Sequence, residues 1–104
     1  MLLHLAATAA AGQQFFELSI RDGKLLGDQR VIRVAQGDVV TLRWRTDKAL
    51  TIHLHGYDIE MPLSPAAPAA MQFTARASGR FPIEIHAHGQ GGHKVLVHVE
   101  VHPR

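Results

Sequence analysis

Residues 79–102, GRFPIEIHAHGQGGHKVLVHVEVH, carry the clearest structural pattern in the chain. Phe81–His86 alternates between apolar and polar side chains, which predicts a β-strand. The glycine-rich HGQGGH of residues 88–93 predicts a loop. From Lys94 to His102 a valine stands at every second position, which predicts a last strand with one apolar face. That face is expected to hold Val95, Val97, Val99 and Val101.

The same period of two recurs upstream. In Val39–Arg45, the side chains of Val40, Leu42 and Trp44 alternate with polar ones, so we expect them to face a core. Residues 58–70 contain three prolines and several alanines, and we expect them to resist regular sheet. The other predicted strands are Phe15–Ile20, Arg30–Val34, Leu50–Leu54 and Met71–Ala75. The other expected core residues are Phe81, Ile83 and Ile85.

Length and composition favour one globular domain. The chain has 104 residues, of which 46% are hydrophobic and 19% charged. A net charge of +2, with dispersed basic residues, does not predict a nucleic-acid surface. No apolar stretch reaches the roughly 20 residues of a membrane span. The strand pattern predicts an all-β fold in residues 15–104, a Greek-key β-sandwich or barrel of roughly seven or eight strands.

Residues 1–14, MLLHLAATAAAGQQ, form an apolar segment ahead of this predicted domain. Its small residues resemble a signal-peptide cleavage region, although the basic start of such a peptide is missing. Two interpretations stay open, the remnant of a signal peptide and a first strand with a frayed end. The first interpretation is typical of a periplasmic or secreted protein.

Histidine and cysteine usage points to the chemistry. The chain contains eight histidines and no cysteine. The lack of cysteine excludes disulfides, thiolate metal ligands and cysteine nucleophiles. Five histidines lie in two short stretches, HLHGY at residues 53–57 and HAHGQGGH at residues 86–93.

These five histidines are candidate metal ligands. His55, His88 and His93 are predicted to ligate, because a strand–loop–strand return can bring the last two to one point. His53 and His86 each lie two residues from a stronger candidate, so in a strand they share its face. They are predicted as additional ligands, as residues that orient a ligand, or as exposed residues. Imidazole nitrogen suits copper, zinc and nickel, and affinity in the divalent series peaks at copper. Copper is therefore the expected metal.

The end of the chain resembles the copper-binding loop of the cupredoxin family, G-x-F/Y-x-x-x-C-x-x-H-x-x-x-x-M. Gly79 and Phe81 match its start, and Ile85 stands at the cysteine position. His88 and His93 stand at the positions of the second histidine and the methionine. The resemblance extends over nearly the whole chain from residue 15, and it implies a cupredoxin-like fold.

Two further matches concern the ligands. His55-Gly56-Tyr57 resembles the H-G-F/Y motif at the family's first histidine, so the resemblance implies a site of His55, His88 and His93. The dinuclear copper pattern C-x-x-x-C-x-x-x-H-x-x-M also aligns, with His93 again at a ligand position. Ile85 and Gly89 then replace both of its cysteines, so a bridged dinuclear centre is not expected.

Four other residues near these motifs were weighed as ligands. Asp58 and Glu60 are candidates to ligate or to orient a histidine. Met61 and Met71 carry sulfur suited to copper(I), but methionine more often fills gaps in a core. If Ile85 lies beside the metal, Ile85→Cys is expected to move the site toward blue-copper character.

The resemblance without its cysteine implies a nitrogen-ligated copper(II) centre and not a blue-copper site. We expect a binding protein and not an enzyme, with copper carriage, buffering or delivery as its role. Its expected partners are the copper ion and a copper-receiving or redox protein. The alternatives are electron transfer through an atypical centre, a small copper enzyme acting on oxygen species, and a metal-free recognition module.

Overall fold

The computed structural model describes residues 11–86 and 93–104, except for the side chain of residue 93. These residues form nine β-strands in two sheets, which confirms the all-β prediction. They contain no helix, and so none that is long and apolar enough to cross a membrane. The strands are β1 (Gln13–Arg21), β2 (Lys24–Leu25), β3 (Val31–Ala35), β4 (Val39–Thr46), β5 (Leu50–Leu54), β6 (Ile59–Leu63), β7 (Ala69–Thr74), β8 (Gly79–His86) and β9 (His93–His102).

The chain passes repeatedly between the two sheets. One sheet has the order β2-β1-β4-β7 and the other has the order β3-β9-β8-β5-β6. The pairs β1–β4 and β3–β9 are parallel, and the remaining pairs are antiparallel. The core lies between the sheets because each strand alternates apolar with polar side chains. Its fully buried residues include Ile32, Val40, Leu42, Ile52, Leu54, Ile83 and Val99.

Two strands were not predicted from the sequence. The Asp22-Gly23 turn has positive φ at both residues, as a tight hairpin requires, and it joins β1 to the two-residue β2. Strand β6 runs through the proline-rich segment and β7 begins at its end, so the expectation that residues 58–70 resist sheet is wrong for Ile59–Leu63, Ala69 and Ala70. Pro62 is tolerated because β6 is an edge strand, where a missing N–H donor costs no hydrogen bond on the open side.

Strand β9 is irregular near its start. Ile83 pairs with Val97 and Glu84 pairs with Val95, so Leu96 is an extra residue on β9, a β-bulge. The bulge reverses the alternation of side chains before it. Leu96 is therefore buried, and Val95 is 45% exposed. The expectation that Val95 faces the core is wrong, whereas Val97, Val99 and Val101 are buried as expected.

Asp38 is the buried charged side chain at one corner of the described sandwich. Its Oδ1 accepts hydrogen bonds from Gly12 N at 3.0 Å and Arg104 Nη2 at 2.6 Å, and its Oδ2 accepts one from Ala35 N at 2.9 Å. The two backbone donors lower the pKa of Asp38, Arg104 lowers it further, and burial opposes them. The Asp38 carboxylate thus connects three parts of the chain, namely the residue just before β1, the end of β3 and residue 104.

We expect Asp38→Asn to lower the free energy of unfolding at neutral pH by about 2 kcal/mol, because charge-assisted hydrogen bonds are lost. A pKa that is lowered on folding stabilises above the ordinary value of 3.8, and this contribution is lost as the pH falls through the folded pKa. The difference between wild type and variant should therefore shrink in acid. Urea unfolding across that range measures it. The exposed control Asp28→Asn should have little effect, and an Asp38→Asn loss that does not vary with pH would contradict the assignment.

Candidate metal centre

The pairing of β5 with β8 sorts their side chains between two faces. Ile52 lies opposite Ile85, and both point into the core. His53 lies opposite Glu84, so this pair occupies the outer face of the five-stranded sheet. His86 follows Glu84 by two residues and shares that face. The strand register thus gathers polar donors on the side of the sheet that faces away from the core.

Three histidines meet on this outer face, namely His53, His55 and His86. One ring nitrogen from each lies within 4.8 Å of the others. His53 Nδ1 is 3.2 Å from His55 Nε2. The His53 ring contacts the other two edge-on, with centroid distances of 4.2 Å to His55 and 5.0 Å to His86. Their side chains are 17–39% exposed, so the cluster is partly desolvated and still open to solvent.

Each of these histidines has a carboxylate beside it. The pairs are His55 Nε2–Glu84 Oε1 at 3.1 Å, His86 Nδ1–Glu60 Oε1 at 3.6 Å and His53 Nε2–Asp58 Oδ1 at 3.7 Å. A carboxylate beside the ring nitrogen that does not ligate orients the imidazole and makes the ligating nitrogen more basic, and Asp58 beside His53 Nε2 fits this role. Glu84 instead faces His55 Nε2, the nitrogen that also approaches His53 Nδ1. Asp58 and Glu60 were candidates from the sequence, whereas Glu84 was missed. The signal in the sequence was its position two residues before His86, which places both side chains on the same face of a strand.

The donor set fits a divalent ion. Two atoms bound at about 2.0–2.1 Å to one ion lie at most about 4.2 Å apart. The 3.2 Å between His53 Nδ1 and His55 Nε2 is within this limit, and the full span of 4.8 Å needs a side-chain movement of less than about 1 Å. Three imidazole nitrogens suit copper(II), zinc or nickel, with oxygen donors completing the coordination.

His55 follows the end of β5 and is held in place by backbone contacts. Its N–H donates to Pro82 O at 3.0 Å. The next residue, Gly56, has φ = 87°, and a Cβ there would lie 2.3 Å from Phe81 Cδ1. Only glycine combines this φ with such a close approach. The turn therefore fixes His55 by packing Gly56 directly against an aromatic ring.

Tyr57 holds the same turn against the loop between β7 and β8. Its hydroxyl donates to Ala77 O at 2.9 Å and accepts from Ala77 N at 3.1 Å. Its ring packs against Phe73 and Phe81, with centroid distances of 5.1 and 5.0 Å. Tyr57 thus uses its polar and apolar parts to hold the segment that presents His55.

The predicted ligands fall into three groups. The structure brings His53, His55 and His86 together. His93 begins β9 and pairs in register with His86, while its side chain lies outside the described part of the chain. His88 also lies outside the described residues. The ligand set of His55, His88 and His93 therefore stays a prediction.

Three residues lie away from the histidine cluster, namely Ile85, which aligns with the cupredoxin cysteine, and the methionines Met61 and Met71. Ile85 is 8% exposed and faces the core, as expected, so the condition for the effect of Ile85→Cys, a position beside the metal, is not met at the cluster of His53, His55 and His86. Alternation along β8 is the reason, since Glu84 and His86 on either side of it face outward. Met61 pairs with Ile52 and packs against the core, and Met71 is buried in the other sheet.

Known proteins resemble this chain in structure. Neither the protein-family models nor the curated proteins match its sequence. A multi-copper oxidase from Pseudomonas Thermotolerans has a TM-score of 0.70 and 22% identity over 91% of this chain and 31% of the oxidase. The multicopper oxidase mgLAC has a TM-score of 0.69 and 18% identity over 88% of this chain and 39% of the oxidase. The chain thus spans between 31% and 39% of these oxidases.

A third structure is closer in length. It is the periplasmic domain of subunit II of cytochrome oxidase (CoxB) of Bradyrhizobium japonicum, with a TM-score of 0.66 and 12% identity over 84% of this chain and 82% of that domain. At these identities the likeness shows the fold alone. Together with the two-sheet topology, it shows that the chain has a cupredoxin-like fold.

We expect Gly56→Ala to destabilise the protein more than Gly27→Ala. Both glycines have positive φ, which costs alanine about 1 kcal/mol or more. The Cβ of Gly27→Ala meets open space, whereas that of Gly56→Ala collides with Phe81 and adds about 1–3 kcal/mol. Urea unfolding of both variants measures the difference. Equal losses would contradict the close contact inferred at Gly56.

Proposed function

We propose that the protein binds one copper ion at the cluster of His53, His55 and His86, and that it carries, buffers or delivers this ion outside the cytoplasm. The observation that carries the proposal is the approach of three imidazole nitrogens to within 4.8 Å on an open sheet face. Three nitrogen donors at that spacing are typical of a metal site. His88 and His93 stay predicted as further ligands.

The exposure of the cluster supports carriage. His55 and His86 are 39% and 30% exposed, so ligands from a receiving protein can reach the ion directly. With nitrogen and oxygen ligands, copper(I) and copper(II) prefer different coordination geometries. Such a change of geometry slows electron exchange, which favours carriage over electron transfer. The proposed role is binding and not catalysis, and the proposed partner is a copper-receiving or redox protein.

The structural neighbours support the metal and the compartment. The oxidases similar in fold are named as copper proteins, and the CoxB domain is named as periplasmic. Zinc and nickel suit the same nitrogens, but copper(II) binds most tightly in the divalent series. A periplasmic or secreted location is therefore proposed together with copper.

We expect metal-free protein to bind one equivalent of copper(II), with a nitrogen-rich tetragonal electron paramagnetic resonance signal and weak visible absorption. His53→Ala, His55→Ala and His86→Ala should each lower the affinity by more than about tenfold, since even loss of a partner of a ligand costs about 10–100-fold. Calorimetry in competition with a chelator measures these affinities, and zinc and nickel titrations give the selectivity.

The matched control is His98→Ala, which removes a half-buried histidine from the same sheet outside the cluster. It should leave copper affinity unchanged. His88→Ala and His93→Ala test the ligands predicted from the sequence. If these two abolish binding while the three cluster variants bind normally, the proposed site is wrong. If wild-type protein binds no copper, a recognition role replaces the proposed function.

We expect copper-loaded Ile85→Cys to show no intense thiolate-to-copper absorption, because the new side chain faces the core. The matched comparison is Glu84→Cys, whose thiol would replace a carboxylate that lies 3.1 Å from His55 Nε2. That variant should develop the absorption. Visible spectra of both copper(II) proteins measure this absorption. A strong band in Ile85→Cys alone would place the copper on the inner side of β8.

A further inference from the structure

Glu84 is the most covered of the three carboxylates beside the histidines. Its side chain is 14% exposed, compared with 60% for Glu60 and full exposure for Asp58. On β8 it lies between His53 on β5 and Val95 on β9. Covering a carboxylate raises its electrostatic energy, which a nearby cation lowers. Glu84 is therefore placed to interact strongly with any cation held by the histidines.

His55 Nε2 lies next to both Glu84 and His53. His55 Nε2 lies 3.1 Å from Glu84 Oε1 and 3.2 Å from His53 Nδ1. Neighbouring ligands with bonds of about 2.0 Å are separated by about 2.8 Å at a right angle and about 3.3 Å at a tetrahedral angle. Both observed distances fall in that interval. Glu84 Oε1 and His53 Nδ1 are thus each spaced from His55 Nε2 as adjacent ligands of one ion.

The described residues near the cluster offer no soft donor. Met61 packs toward the core and Met71 lies in the other sheet, so neither sulfur joins the outer face. Copper(I) favours thiolate and thioether ligands, whereas carboxylates and imidazoles suit divalent ions. A carboxylate also attracts a doubly charged ion more strongly than a singly charged one at the same distance.

We propose that Glu84 is itself a metal ligand, forming a three-histidine, one-carboxylate centre that selects copper(II) over copper(I). This inference rests on the proposed copper-binding function. The carboxylate supplies both the hard oxygen donor and the negative charge that distinguish the two oxidation states. Its cargo would therefore be the oxidised ion, taken up and released without a soft sulfur ligand from the described face.

The test is Glu84→Gln, which keeps the size of the side chain and a polar group near His55 but removes the charge. Affinities for copper(II) and copper(I) are measured separately by competition with chelators specific for each state. Copper(II) affinity should fall by about tenfold or more, and copper(I) affinity should stay within about twofold. A selective tenfold loss raises the reduction potential by about 59 mV, which voltammetry checks independently.

The matched control is Glu100→Gln, because Glu100 is a partly covered carboxylate of the same sheet whose neighbours are Arg33 and His102, outside the cluster. It should change copper(II) affinity by no more than about twofold, since its charge lies away from the bound ion and is screened. If Glu84 only orients His55, Glu84→Gln should weaken both oxidation states equally. Equal weakening, or unchanged copper(II) affinity, overturns the ligand assignment and leaves the proposed function intact.

Wild-type protein provides a second readout that does not depend on the folding of the variant. Infrared difference spectra with and without copper(II), on protein labelled with ¹³C at glutamate side chains, should show a shift of a carboxylate stretch. The shift should be absent from a folded Glu84→Gln sample and present in Glu100→Gln. Copper binding without any glutamate shift in wild type contradicts the inference, whereas no copper binding at all contradicts the proposed function.

Discussion

The antiparallel register of β5 against β8 fixes which of their side chains face the core and which form the histidine cluster. It places Ile52 opposite Ile85 in the core and His53 opposite Glu84 on the outer face. A slip of β5 by one residue would exchange its two faces, exposing Ile52 and burying His53. Each buried isoleucine contributes roughly 1.5–3 kcal/mol, so the apolar core holds the register. The metal donors are therefore positioned by the burial of their neighbours in the chain.

Rigid elements support most of the cluster. His53, Glu84 and His86 belong to paired strands, where the backbone is held by hydrogen bonds on both sides. His55 lies beyond the end of β5, and its position depends on the turn that follows. The contact of Gly56 with Phe81 keeps that turn close to β8. A site assembled in this way needs little reorganisation when an ion binds, which favours affinity.

The position of the histidine cluster on the outer face of the sheet bears on how the missing ligand cysteine is interpreted. The residue at the family's cysteine position, Ile85, contributes to the core and not to the donor cluster. The donors of the proposed site thus lie on the opposite side of β8 from Ile85, so the proposed site does not correspond to a blue-copper centre with one ligand removed. Imidazole and carboxylate groups on an open face suit a divalent ion that is exchanged with a partner, and this matches the proposed role in copper carriage.

Alternation and residue type are local properties, so the strand pattern, most of the core and the supply of imidazole donors without thiolate follow from the amino-acid sequence alone. It predicted β1, β3, β4, β5, β7, β8 and β9, and the lack of cysteine excluded thiolate ligands. The meeting of His53 with His86 depends on the fold, because pairing between distant strands makes these two residues neighbours. The bulge at Leu96 that exposes Val95, the edge position that tolerates Pro62, and the approach of Glu84 to His55 likewise depend on packing between strands, which no local pattern encodes.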